Sequence, residues 1–165
     1  MSDLIREENS ELYLNDNFFE MYWKIANGMS FIHSQNIIHR DLSSNNILIS
    51  KGLIPKISDL GSAGGEEMTS ISSKSAGGMK GKVPYTAPEI FLADIGVNVY
   101  TIRSDVFSYG VMLFEGIVKG NSSWFNDIKK EKVQEMIKTN QRPEIPTNTG
   151  MNYFIPLIEE CWDQV

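Results

Sequence analysis

The stretch Ile38-His39-Arg40-Asp41-Leu42-Ser43-Ser44-Asn45-Asn46-Ile47-Leu48-Ile49 constrains this chain more than any other. Apolar residues flank a polar turn. The pattern predicts a short strand that delivers His39, Arg40 and Asp41, and a second strand that leads away after Asn46. Four residues separate Asp41 from Asn46. This arrangement suits phosphoryl transfer, in which a carboxylate accepts the proton of an attacking hydroxyl while an amide oxygen and a second carboxylate hold magnesium on the nucleotide. On that reading Asp41 is the base and Asn46 a metal ligand.

The second carboxylate is expected from Lys56-Ile57-Ser58-Asp59-Leu60-Gly61, which places Asp59 at the end of a hairpin returning from Ile47-Leu48-Ile49. Ser50-Lys51-Gly52 supplies the turn. Ala87-Pro88-Glu89 follows, and Asp105 opens a long apolar helix. In this order and spacing the landmarks resemble the eukaryotic-type protein kinases. Arg142-Pro143-Glu144-Ile145-Pro146 and the later Cys161-Trp162 are similar to the tyrosine-kinase and tyrosine-kinase-like branches.

The resemblance implies an α+β, mainly α-helical fold: a kinase C-terminal lobe with a small β-hairpin next to the catalytic loop, and no N-terminal lobe. It covers residues 1–165 as one partial kinase domain, with the catalytic loop at 38–49 and the activation segment at 59–89. It further implies ATP and Mg2+ as cofactors and a protein hydroxyl as acceptor, of Ser or Thr first, with Tyr left open because Thr86 and the lack of a lysine at position 43 are compatible with it. Asp41 would orient and deprotonate that hydroxyl, Asn46 and Asp59 would bind magnesium, and Leu48 would form the floor of the adenine pocket. Arg40 would read a phosphate on the activation segment at Thr69, Ser70, Ser72, Ser73 or Ser75, because such a group brings nearly two negative charges to a basic side chain. Asp105 would hydrogen-bond the catalytic-loop backbone.

Three positions depart from the family's pattern. Leu60 stands where Phe is usual and is expected to pack against His39. Ser43 stands where serine/threonine kinases carry a lysine, and Lys82 where they carry a threonine. Ammonium and hydroxyl have changed places, so Lys82 is expected to reach toward Asp41 and the phosphate while Ser43 takes over the hydroxyl's hydrogen bond.

No glycine-rich loop, strand lysine or helix glutamate precedes the catalytic loop. Losing one preorganised charge stabiliser typically costs about 10²–10³ in rate, so this chain alone is expected to be nearly inert, with Glu89 lacking the arginine that the family pairs with it. The alternative is a non-catalytic fragment or pseudokinase, a binding module that docks on a complete kinase or another protein through the exposed interlobe face. A small-molecule phosphotransferase is disfavoured by Ala87-Pro88-Glu89.

Composition narrows the partners. Fifteen basic against 21 acidic residues give a net charge of −6, which argues against nucleic acid or an anionic membrane. The first residues lack the apolar core of a signal peptide, and the longest apolar run, Val111 to Phe114, is too short to span a bilayer. A cytoplasmic location is expected. Cys161 is alone, so no internal disulfide forms, and it is expected in the core.

The remaining pattern predicts a short helix over 2–9, then a core helix with Phe18, Tyr22, Ile25, Met29 and Ile32 on one face. Gly28 is expected to admit a close neighbour, and His33 to end this helix without a chemical role. Residues 61–78 read as a loop, Thr101 to Ile117 as a buried helix, Asp127 to Lys138 as an amphipathic surface helix and Gln141 to Pro146 as an extended connector. A last helix around Phe154 to Trp162 is expected to turn Leu157, Ile158 and Cys161 inward.

Overall fold

The structure, a computed structural model, describes residues 16–64, 82–94, 97 and 99–163. The helix expected over 2–9, most of the loop over 61–78 and all the activation-segment hydroxyls expected to carry phosphate lie outside the described residues.

Helix α1, Asp16–Ser34, buries Phe18, Met21, Tyr22, Ile25 and Met29, the face read from their helical spacing. Its end is set by Asn36, which adopts φ 55°. There the Asn36 N–H donates to His33 O at 2.9 Å and the Ile37 N–H to Ile32 O at 3.3 Å. Those paired bonds form a Schellman cap, which turns the chain into Ile38. In place of a full strand before the loop, Ile38 makes only an isolated antiparallel bridge with Gly64.

The two strands β1, Ile47–Ser50, and β2, Ile54–Ile57, form the expected hairpin, antiparallel with Ile47 opposite Ile57 and Ser50 opposite Ile54. Gly52 and Leu53 take left-handed φ values of 75° and 56° in the turn. The hairpin packs on α1, where a Cβ at Gly28 would come within 2.8 Å of Ile57 Cδ1. Gly28 therefore permits the close approach expected of it.

Helix α2, Pro88–Leu92, follows a 3-10 turn at Val83–Tyr85. Helix α3, Ile102–Ile117, is the centre of the fold, with its buried residues running from Ser104 to Ile117 on most of its circumference. At its start the Thr101 N–H donates to Ser104 Oγ at 3.1 Å, which ties the end of the helix to the preceding chain. Tyr22 Oη donates to Met112 O at 2.7 Å and Tyr109 Oη to Tyr22 O at 2.9 Å, so α1 and α3 exchange phenol-to-backbone bonds. Gly116 makes room for Phe18 and Tyr22.

Helix α4, Ser123–Asn126, is short. Helix α5, Lys130–Lys138, starts later than its sequence pattern suggested and turns Val133 and Ile137 inward. The connector over 141–146 has no helix or strand, and its Arg142 guanidinium lies 5.2 Å from the centre of the Phe107 ring. Helix α6, Ile155–Trp162, buries Ile158, Cys161 and Trp162 against α3. Leu157 is a correction to the sequence reading: it sits on the outer side of α6 and is 38% exposed. Burial pushes the Cys161 thiol up to about 11, which keeps it protonated and unreactive at neutral pH. No described helix is long and apolar enough to cross a membrane.

Candidate active site

Leu42 and Ile47 are buried on either side of the loop, and each buried aliphatic side chain of this kind is worth about 1.5–3 kcal/mol. They anchor a turn whose polar residues would otherwise be free to move. Asp105, itself buried at the start of α3, accepts the His39 N–H through Oδ2 at 2.8 Å and the Arg40 N–H through Oδ1 at 3.0 Å. His33 donates from Nε2 to the same Oδ2 at 2.9 Å. His33, expected to end this helix without a chemical role, has a structural one: it fixes the carboxylate that holds the loop.

His39 is fully buried and donates from Nε2 to Ser58 O at 3.1 Å, which leaves Nδ1 to accept from the Asp41 N–H at 3.4 Å. Leu60, expected to pack on His39, is instead nearly half exposed in a 3-10 turn, Leu60–Ser62, that begins just past Asp59.

Asn46 donates from Nδ2 to Asp41 O at 2.7 Å and to Asp41 Oδ2 at 3.0 Å, so the turn closes on itself. Ser58 completes the link to β2: its N–H and its Oγ both donate to Asn46 O at 2.9 Å. This places Asp59, the residue after Ser58, beside Asn46. With Nδ2 committed to Asp41, Oδ1 is the Asn46 atom left to bind a cation, and the Asp59 carboxylate is exposed. Among the described residues no three His, Cys, Asp or Glu side chains are grouped to hold a metal. An amide oxygen and a carboxylate still suit Mg2+, which typically keeps several waters and takes its other ligands from substrate phosphates.

Arg40 has a left-handed φ of 68°. Its guanidinium lies against Gly64, where a Cβ would approach to 2.7 Å, and 5.7 Å from the centre of the Tyr100 ring. The phosphate-bearing side chains expected to meet it are outside the described residues.

Lys82 and Asp41 line one small cavity of about 10 Å³ together with Arg40, Tyr85, Tyr100 and Ser108. Partial burial lowers the Lys82 pKa, while the negative charges of Asp41 and then Glu115 act in the opposite sense. Ser43 does not do what the exchange of residues suggested. Its Oγ is buried and has no hydrogen-bond partner among the described residues, because the backbone before the 3-10 turn Ser44–Asn46 holds that side chain in the interior. Leu48, the expected floor of an adenine pocket, is 57% exposed on β1.

Sequence reasoning missed a buried network beneath the loop. Tyr85 donates to the Glu115 carboxylate on α3, and Ser44 Oγ lies 3.1 Å from Tyr85 Oη. Ser108 Oγ donates to Tyr85 O at 2.7 Å. The signal was Glu115, the one charged residue in the apolar stretch of α3 that follows Asp105: a buried carboxylate needs a donor. Glu89, by contrast, is in no ion pair among the described residues, and it lines a cavity of about 340 Å³ with Arg103, Phe107 and Asp163.

Comparison with known proteins agrees with this geometry. The family model described as protein tyrosine and serine/threonine kinase matches residues 1–165. The chain is 33% identical over 164 residues to the mast/stem cell growth factor receptor kita of Danio rerio, covering 99% of this chain and 16% of the receptor. It is 32% identical over 140 residues to fibroblast growth factor receptor homolog 2 of Drosophila melanogaster, covering 85% of this chain and 13% of the relative. Platelet-derived growth factor receptor alpha of Takifugu rubripes is 31% identical over 163 residues, 99% of this chain and 15% of that protein. The chain thus spans only 13 to 16% of these relatives' length. It belongs to the protein tyrosine and serine/threonine kinase family.

Proposed function

We propose that these residues form the acceptor and metal side of an ATP- and magnesium-dependent protein kinase site of the tyrosine-kinase-like type, which phosphorylates Ser or Thr hydroxyls. The observation that carries the reading is the closed loop itself: Asp41 held by Asn46, next to Asp59, on backbone clamped by Asp105. Asp41 orients the acceptor hydroxyl and takes its proton as the oxygen bonds to the γ-phosphorus of ATP and ADP departs. General-base help of this kind contributes about 10²–10⁴. Asn46 Oδ1 and the Asp59 carboxylate hold Mg2+, which neutralises charge on the phosphates when bound. Arg40 receives a phosphate from the activation segment.

Lys82 beside Asp41 favours Ser or Thr, since it puts an ammonium near the carboxylate although position 43 carries serine. Tyrosine is the second reading for the acceptor, favoured by the likeness to growth factor receptors. The 165 residues alone transfer little phosphate, because they include no glycine-rich loop to cover the nucleotide. A binding role through the face that carries Leu48 and Leu60 is consistent with their exposure.

The test joins this chain to a nucleotide-binding lobe of a related kinase and follows labelled phosphate from ATP onto serine, threonine and tyrosine peptides. Label on serine or threonine peptides supports the reading, label on tyrosine alone moves it to the second acceptor, and no label on any peptide overturns it.

A further inference from the structure

The hydroxyl of Ser44 and the phenol of Tyr85 are both buried, 3.1 Å apart. Tyr85 gives its only hydroxyl proton to Glu115. The proton between Ser44 and Tyr85 must therefore come from Ser44, which fixes the direction of the chain: Ser44 to Tyr85 to the Glu115 carboxylate. Such a chain ends on a charge, and each bond polarises the next.

Its route matters more than its strength. Ser44 lies in the turn between Asp41 and Asn46, whereas Tyr85 closes the 3-10 turn Val83–Tyr85, just ahead of Thr86, Ala87 and Pro88. Glu115 and Ser108 fix Tyr85 from α3, by its hydroxyl and by its carbonyl. The neighbouring Ser43 makes no such link, since its Oγ has no partner among the described residues. Ser44 thus joins the loop that carries Asp41 to the segment whose Tyr85 and Thr86 line the same small cavity as that carboxylate.

We propose that Ser44 is a positioning residue, whose hydroxyl sets the placement of Asp41 relative to an acceptor peptide held along residues 83–88. The proposal rests on the kinase reading above and adds the residue that couples its two halves. Without the hydroxyl, the Tyr85 oxygen loses a buried donor and the two segments shift independently. Affinity for the acceptor then falls while the folded chain persists.

The test is fluorescence anisotropy of short labelled peptides, one with a central serine and one with a central tyrosine, each flanked by lysines to suit the acidic chain. They are titrated into the 165-residue chain and its Ser44→Ala, Ser44→Thr, Tyr85→Phe and Ser44→Ala/Tyr85→Phe variants, well below their melting temperatures. Ser44→Ala is expected to weaken binding of the better peptide about fivefold, equivalent to about 1 kcal/mol. Ser44→Thr restores it, and the double variant binds no more weakly than Tyr85→Phe alone, because Tyr85→Phe already removes the bond from Ser44. A purely structural role would lower the melting temperature and leave the affinity of the folded chain unchanged. Unchanged affinity in Ser44→Ala, or losses that simply add in the double variant, would overturn the proposal. Failure of the unsubstituted chain to bind either peptide would overturn it as well. Peptide binding with no phosphate transfer in the two-lobe protein would strike the kinase reading alone.

Discussion

Asp105 and His39 are joined by a hydrogen bond of 2.8 Å from the His39 backbone N–H to Oδ2, and the other carboxylate oxygen takes the Arg40 N–H at 3.0 Å. One side chain at the start of α3 therefore sets the path of the backbone into Asp41. Asp105→Ala would leave two backbone donors without their acceptor, the His39 N–H among them in the interior, at a cost of about 3 kcal/mol. His33→Ala leaves both of those bonds in place and should cost about 1 kcal/mol. Urea denaturation of the two variants checks the difference, and equal losses would contradict this division of roles.

Tyr85 makes stability depend on alkaline pH. Burial, followed by the charge of Glu115, raises its pKa well above the ordinary value of 10.0. A group whose folded pKa is raised contributes stability fully below its unfolded pKa, and that stability is lost as pH rises from there through the folded value. Unfolding free energy should thus start to fall above about pH 10. Tyr85→Phe should flatten that fall while lowering stability at pH 7 by about 2 kcal/mol, because the buried Glu115 loses its donor. Denaturation across the alkaline range tests both effects together.

Lys82 has the opposite linkage. Desolvation lowers its pKa below 10.5, although Asp41 and Glu115 oppose the shift. While both states are protonated the burial is a penalty, and it is relieved as pH rises through the folded pKa toward the unfolded one. Lys82 should therefore titrate before the exposed lysines in a heteronuclear NMR titration. In the two-lobe protein Lys82→Ala should lower phosphate transfer about 10²-fold, as removal of a preorganised charge stabiliser does. Unchanged turnover would place its ammonium outside the reaction.

Two glycines should respond differently to alanine. At Gly110 a new Cβ would lie 2.5 Å from Cys161 Cβ and 3.1 Å from Trp162 Cδ1, at the packed seam of α3 and α6. Overpacking there should cost about 2–3 kcal/mol. At Gly28 the Cβ meets only the mobile end of Ile57, at 2.8 Å, and the gain in helix propensity of about 1 kcal/mol offsets the crowding. Thermal unfolding should show a large fall for Gly110→Ala and little change for Gly28→Ala.

Local pattern announced much of this architecture. The spacing of Phe18, Tyr22, Ile25 and Met29 identified the buried face of α1, and Ser50-Lys51-Gly52 marked the hairpin turn, because periodicity and turn chemistry act over neighbouring residues. Asp105 clamps the loop as the family resemblance implied. The partners that depend on distant segments were not legible. Ser44 and Tyr85 are 41 residues apart, and His33 and Asp105 are 72 apart, so nothing local marks either bond. Ser43 and Leu60 misled for a related reason: sequence gave their residue types, but backbone direction decides whether a side chain turns into the core or toward solvent. Leu157 shows the same limit on α6, where an apolar residue lies on the outer side.

Asp41 is proposed as the base in phosphate transfer, and the rest of the site serves that role. The most direct measurement compares the rate of labelled phosphate transfer from ATP to the preferred peptide by the two-lobe protein and by its Asp41→Asn variant, with folding of both checked by circular dichroism. Asp41→Asn should lose about 10²–10⁴ in turnover with the fold intact. Equal turnover in the two proteins would contradict it.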